Sequence, residues 1–428
     1  MPKETILSLD IGTVNLKTLA ITTYGEQLWL SRRNISKIQS PRKLWIKILN
    51  EIMEIPASIR SNVKAITITS HGPSFVVKTY DNREIIEPYY KQVGNVSVKS
   101  QLNFHEIKLL SVVNNYNVKK IKWILGLKEY VAYKFTNIAT YGKLELREKK
   151  LRKYVKELDS KIFVKEHDCM NPIGYVRKGL SKKLGLKGEV SVIVAPTDAT
   201  CSLIGVGCLD VGCSNLNLGY TATLLNVVYG NSKNKHNVIG YLLKRNISLR
   251  IDSVIIGHAI SFARKVFRTN NNIQVNNDYF SLIIPMIRKG MSYRTTISVI
   301  NISHNFTYAE ALKTILTTAL LYLSLNSTDK TLGKIRLSGG LVSEEIAKLV
   351  SNIFNTEVQI PKNIESSALG ASFIGMCYLN NEDLATTVKR NVEIGKNFTP
   401  SREETVKYSK YLDVFRKIYD AFVEAFLN

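Results

Sequence analysis

Up to about residue 90, apolar and polar positions alternate in short bursts rather than long helical stripes. TILSLDI, LKTLAITTY and EQLWLSRRN read as three strands, joined by GTVN and by a turn at Tyr24–Gly25. A helix follows, with Ser40 as N-cap, Pro41 at its first position, and Leu44, Ile48, Leu49 and Ile52 on one apolar face. The strand AITITS, an HGP turn at 71–73 and the strand FVVKTY come next. From about 100 to 185 the pattern turns mostly helical. NVKKIKWILGLKEYVAYKF and the basic segment after Gly142 both carry helical spacing, and a glycine-punctuated stretch then leads into the apolar run Val190–Ala195.

Strand patterning starts again near 211. SNLNLGYTATLLNVVYG reads as two strands around a turn at Gly219, and a long helix spans about 307–326. The strand KIRLSGG, a helix from near Ser343, the strand TEVQIP and a helix of small residues, ESSALGASFIGMCYL, follow. A last helix opens on a capping box, Ser401 with Glu404. The three strands, helix and further strand of the first ninety residues resemble the ribonuclease-H-like core, and a second such unit fits the order of the later elements. The expected fold class is therefore α/β, with two such domains, 1–210 and 211–428, and a boundary near 205–215.

At 428 residues the chain is long enough for two or three cores. No apolar run approaches a membrane span, and MPKETILSLDIG enters a strand without the layout of a signal peptide. Cys169, Cys201, Cys208, Cys213 and Cys377 lack CxxC spacing, so five free thiols in a reducing cytoplasm are expected. The formal charge of +24 draws attention to nucleic acid. Its lysines and arginines are scattered, and in GKLELREKKLRKYVKELDSK they interleave with acids as on a solvated helix face. No nucleic-acid and no membrane partner is therefore expected.

Four stretches end a strand in a short turn of small residues. In LSLDIGTVNLK, Asp10 closes an apolar strand, Gly12 permits a tight turn, Thr13 and Asn15 can donate, and Lys17 lies on the next strand. Such a turn can hold an anion with Mg²⁺ beside it, or be an Asp-capped β-turn. In LGYTATL, Gly219 and Thr221 form a similar hairpin. In LSGGLVSEE, Gly339 and Gly340 let a flat ligand approach the backbone, or else serve close packing. In VAPTDATC, Asp198 sits at the mouth of a buried strand, where losing water is costly for a charge.

In this order the four stretches resemble the phosphate and nucleotide loops of the actin, sugar-kinase and heat-shock-chaperone superfamily, and within it the FGGY carbohydrate kinases. AITITSHGPSFVV, KKIKWILGLKEYVAYKFTN, the run from Gly174 to Gly212 and the run from Ile335 to Met376 resemble further segments of that family. The resemblance implies an interdomain active-site cleft, ATP and Mg²⁺ as cofactors, and a small sugar or polyol as substrate. A pentulose such as xylulose leads, glycerol comes next, and homodimers are common in such families. Asp198 would be the general base that contacts the substrate hydroxyl, and Asp10, through water, and Asp198 would hold the metal. Gly12, Thr13, Asn15, Lys17, Gly219 and Thr221 would serve the phosphates, and Gly339, Gly340 and Ser343 the adenosine.

The sequence also departs from the family. Val14 replaces a hydroxyl, Tyr220 is bulky where a small residue is usual, and LIIPMIRKGMSYRT poorly matches a proline-rich substrate loop. After Glu87 the chain reads EPYYKQVGNVSVKSQ, where the family has W-x-D-x-R. His71, Gly72 and Gln92 are the substitute acceptor-binding candidates. These departures keep a second reading open, a nucleotide-binding regulator of the same fold without sugar kinase activity.

Overall fold

The computed structural model describes residues 3–427 apart from 39, 90, 92–101, 152–153, 155–158, 163, 231–237, 268–280, 290–291, 302–305 and 328–331. By compactness the chain divides into two units. One comprises Met1–Leu209, Tyr229–Leu249 and Glu365–Val392; the other comprises Asp210–Val228, Arg250–Ile364 and Glu393–Asn428. Compactness thus does not follow chain order.

The first unit is built on a six-stranded sheet in the order Gly174–Tyr175, Ser191–Val194, Val63–Ser70, Thr5–Ile11, Asn15–Thr22, Gln27–Asn34. Its three central strands run parallel, and antiparallel partners flank them on both sides. All seven residues of Thr5–Ile11 are buried, so this strand is covered on both faces. Leu7, Leu9 and Ile11 enter a core with Leu44 and Ile48 of the helix Pro41–Glu54 and Tyr130 and Val131 of the helix Leu127–Thr136. The alternate residues face the small-residue helix Ser366–Asn380, where the Ser8 hydroxyl donates to the Ala368 carbonyl at 2.8 Å. Asp10 shares that parity with Ser8.

Small side chains let this helix sit unusually close to its neighbour Asp198–Gly205. A Cβ on Gly370 would lie 1.8 Å from the Cys201 carbonyl oxygen, and one on Gly205 would lie 1.9 Å from that of Ser366. The Ser202 and Ser366 hydroxyls meet across the same crossing at 2.7 Å. The glycines and serines of ESSALGASFIG therefore position the element that carries Asp198.

The second six-stranded sheet runs Ile247–Ile255, Thr221–Tyr229, Cys213–Leu218, Lys334–Ser338, Glu357–Pro361, Ile394–Phe398. Strand for strand it repeats the first: an antiparallel hairpin, a parallel centre and an antiparallel edge. Its core includes Leu216, Leu218, Ile315, Leu320, Ile335 and Phe415. The helix Tyr308–Asn326 opens on a capping box made by Thr307 and Glu310.

Some sequence expectations need correction. NVKKIKWILGLKEYVAYKF is not one helix: Ile121–Gly126 is a strand paired with Phe75–Thr79, and only Leu127–Thr136 is helical. In the basic segment after Gly142 the described helices are short, Glu148–Leu151 and Asp159–Ile162. The described parts of LIIPMIRKGMSYRT lie in an antiparallel pair, Leu282–Lys289 with Ser292–Ile300. The five thiols are not all free either. Cys169, Cys201 and Cys377 are, whereas Cys208 and Cys213 are joined as a disulfide. Gly207 and Gly212 adopt positive φ of 76° and 88°, folding the chain back so that the two cysteines meet.

Candidate active site

In the first unit, the first hairpin sets the site. Asp10 pairs with Lys17 across the two strands, and Gly12 closes the turn by donating to the Asn15 carbonyl at 2.9 Å. Lys17 Nζ lies 3.3 Å from Asp10 Oδ2 and 3.0 Å from Glu365 Oε2, and Arg32 also pairs with Glu365. Sequence reading did not single out Glu365, which draws Lys17 into a network at the start of the small-residue helix. Asp10 is 2% exposed, and its Oδ1 is buried with no hydrogen-bond partner among the described residues. A buried carboxylate oxygen without a partner is costly unless something else occupies it. A hard cation fits that need. Magnesium is commonly held by one or two carboxylates together with substrate phosphates, so the absence of a larger acidic cluster among the described residues does not conflict with it. Thr13 Oγ1 makes a long 3.5 Å approach to the Tyr89 hydroxyl.

Asp198 occupies the first turn of its helix, where its Oδ1 accepts from the Ala199 N–H at 2.8 Å. The preceding loop is tied down carbonyl by carbonyl. Lys128 Nζ donates to the Ala195 carbonyl at 2.9 Å, and Thr69 Oγ1 donates to that of Pro196 at 2.6 Å. Protein surrounds the carboxyl even though an edge of the residue reaches solvent. Burial first, and then the negative charge of Asp10, push it up to about 7, against the Ala199 N–H and Lys17, which favour ionisation. At neutral pH this group can take or release a proton.

His71 lies beside this loop. Its amide donates to the Ile11 carbonyl at 2.9 Å, and its Nδ1 is 2.8 Å from the Ser74 hydroxyl. Burial pushes its imidazole down to about 4, so it is neutral at physiological pH. A Cβ on Gly72 would come within 2.7 Å of Thr197 Cγ2, which brings the HGP turn against the residue before Asp198. Gln92 lies outside the described residues.

The remaining candidates lie in the second unit. The Gly219 N–H donates to the Thr221 carbonyl at 3.2 Å, a hairpin like the first with Asn217 at the register position of Asp10. Bulky Tyr220 is accommodated because residue 257 is glycine. A Cβ there would lie 2.1 Å from the Tyr220 ring, and the Tyr220 hydroxyl lies 3.0 Å from His258 Nε2. Gly339 has a φ of 99°, and a Cβ on it would fall 2.5 Å from the Leu218 carbonyl oxygen, so backbone packing alone demands glycine. Gly340 is exposed, and Ser343 accepts from the Ile346 N–H at 3.3 Å as an N-cap.

No family model and no curated protein matches the chain. Solved structures do match it. A gluconate kinase and a xylulose kinase, both from Lactobacillus acidophilus, each give a TM-score of 0.79 at 17% identity, covering 98% of this chain and 98% of theirs. The glycerol kinase of Plasmodium falciparum with ADP gives 0.74 at 13% identity, over 97% of this chain and 98% of its own. The fold is thus that of the FGGY carbohydrate kinases.

Proposed function

We propose that this chain, folded as those kinases are, transfers the γ-phosphoryl group of ATP to a hydroxyl of a small sugar or polyol. In this reading 1–210 serves the acceptor and 211–428 the nucleotide. The observation that carries the proposal is Asp198, a carboxyl held at about 7 at the end of a buried strand, near a second carboxylate with an unpartnered oxygen. A general base is most effective with a pKa close to the working pH.

Asp198 accepts the acceptor hydroxyl's proton as that oxygen bonds to the γ-phosphorus. The bond from phosphorus to the bridging oxygen breaks, and ADP leaves. Asp10, with Asp198 nearby, would hold magnesium, which when bound neutralises charge on the phosphates. Thr13, Asn15 and the Gly12 turn on one hairpin, and Gly219 with Thr221 on the other, would donate to phosphate oxygens. The Glu365 network holds Lys17 beside Asp10 rather than out in solvent. The adenosine would lie by Gly339, Gly340 and Ser343. His71, neutral and tethered to Ser74, would offer one ring nitrogen to an acceptor hydroxyl.

Among neutral acceptors the sequence resemblance favours a pentulose such as xylulose ahead of glycerol. Release of ADP from ATP and magnesium, measured across ketoses, polyols and aldoses, tests the proposal. Turnover that requires an acceptor supports it. ATP binding without turnover on any acceptor moves the reading to a nucleotide-binding regulator.

A further inference from the structure

Beside the loop that carries Asp198, and wholly within the first unit, lies a partly open pocket. Its lining joins the HGP turn and Thr197 to residues that sequence reading passed over, Lys128, Glu129 and Glu145. These three form a buried ionic cluster. Lys128 Nζ lies 3.3 Å from Glu129 Oε1 and 2.9 Å from Glu145 Oε1 while donating to the Ala195 carbonyl. His167 Nε2 adds a fourth contact, 3.2 Å from Glu129 Oε1.

An ammonium has three N–H donors, and three oxygens already surround this one. Lys128 is also the only lysine or arginine among the described residues lining the pocket. Lys128 is therefore not free to pair with a carboxylate arriving with a substrate, and the other basic side chains of the lining are the imidazoles of His71 and His105. The carboxylates, by contrast, have acceptor capacity to spare. Glycine brings them to the pocket wall: a Cβ on Gly126 would lie 2.0 Å from Glu129 Oε2, and one on Gly142 would lie 3.0 Å from Glu145 Oε2. Lys128 and His167 hold Glu129 ionised despite its burial, whereas burial raises Glu145, which competes for the same ammonium. His71, pushed down to about 4 by burial, adds no positive charge at neutral pH.

We infer that this pocket receives the acceptor, and that its saturated Lys128 and surplus Glu129 and Glu145 oxygens select a neutral polyhydroxy compound and reject a sugar acid. Hydroxyl groups donate to the glutamates, whereas a substrate carboxylate meets the ionised Glu129 and finds Lys128 already saturated. The distinction has content because the fold is shared by a gluconate kinase, whose named substrate is an acid, and by xylulose and glycerol kinases, whose named substrates are neutral. The inference rests on the reading of Asp198 as the phosphotransfer base.

The test pairs each neutral compound with its acid, xylitol and xylulose against xylonate, glucitol against gluconate. ADP release and calorimetric binding are read separately for wild type, Glu145→Gln and Asp198→Asn. The expected result is neutral preferred over acid by at least 100-fold in kcat/KM. In Glu145→Gln, KM for the neutral acceptor should rise about tenfold with kcat within a factor of three, unlike the loss of kcat in Asp198→Asn. A neutral compound that binds calorimetrically, and binds about tenfold more weakly to Glu145→Gln, upholds the pocket even if nothing is phosphorylated; only the kinase reading then falls. An acid turned over or bound better than its neutral partner overturns the inference, as does failure of every neutral compound to bind. The wild-type comparison decides the matter if Glu145→Gln does not fold.

Discussion

Replacing Asp198 with asparagine removes the charge and keeps the shape, and it should make the protein more stable at alkaline pH. In the folded chain the carboxyl moves from the usual 3.8 to about 7 because burial and Asp10 oppose its ionisation. The folded state therefore binds this proton more tightly than the unfolded state does. Stability falls as pH rises from about 4 through about 7, and the full cost is present above that window. A rise of this size corresponds to a ceiling of ~4 kcal/mol. Water reaches an edge of Asp198, so about 2 kcal/mol is the reasonable expectation. Asparagine mimics the protonated acid and escapes the cost. Thermal or urea unfolding of wild type and Asp198→Asn at pH 4.5 and pH 8.5, without nucleotide, measures it. The gap should be smaller at pH 4.5, where the unfolded carboxyl is already largely ionised and about half of the cost is present, and should widen in favour of asparagine at pH 8.5. A gap independent of pH, or a variant less stable at pH 8.5, would refute the reasoning about how Asp198 is tuned.

Further consequences follow from the same contacts. The acid limb of kcat/KM should sit near pH 7, because Asp198 must be ionised to act. Lys17→Met removes a positive charge that favours ionisation, and should move that limb to higher pH; an unmoved limb would break the link between Lys17 and Asp198. Unfolded under non-reducing conditions, the protein should titrate as three thiols, and as five after reduction. Reduction should cost about 2 kcal/mol of stability for so short a loop; five thiols without reductant would contradict the Cys208–Cys213 bond. Gly370→Ala drives a methyl into the Cys201 carbonyl and should destabilise by about 3 kcal/mol or more in denaturant melts.

Much of this architecture is legible in the sequence, where the signals are local. The hairpins around Gly12 and Gly219, the Ser40–Pro41 helix start and the small-residue helix all announce themselves within a few residues. The strand Ile121–Gly126 does not. Its apolar residues fit a helical stripe as well as a pleat, and pairing with Phe75–Thr79, far away in sequence, decides between them. The ionic cluster is hidden for a similar reason. Lys128, Glu129, Glu145 and His167 look like solvated surface until the chain folds them against one another and the Ala195 carbonyl. Tyr220 reads as an obstruction because its remedy, Gly257, is remote. Glu365 opens a helix whose glycines draw the eye, while its partners Lys17 and Arg32 lie at the other end of the chain.

The most direct test of the central claim compares wild type with Asp198→Asn at saturating acceptor, with ATP and magnesium affinity measured on both. The account predicts acceptor-dependent ADP release by wild type and a loss of at least ~10²-fold in kcat for the variant, with nucleotide affinity retained. A variant that turns over as wild type does would contradict Asp198 as the base, whatever else binds in the pocket beside it.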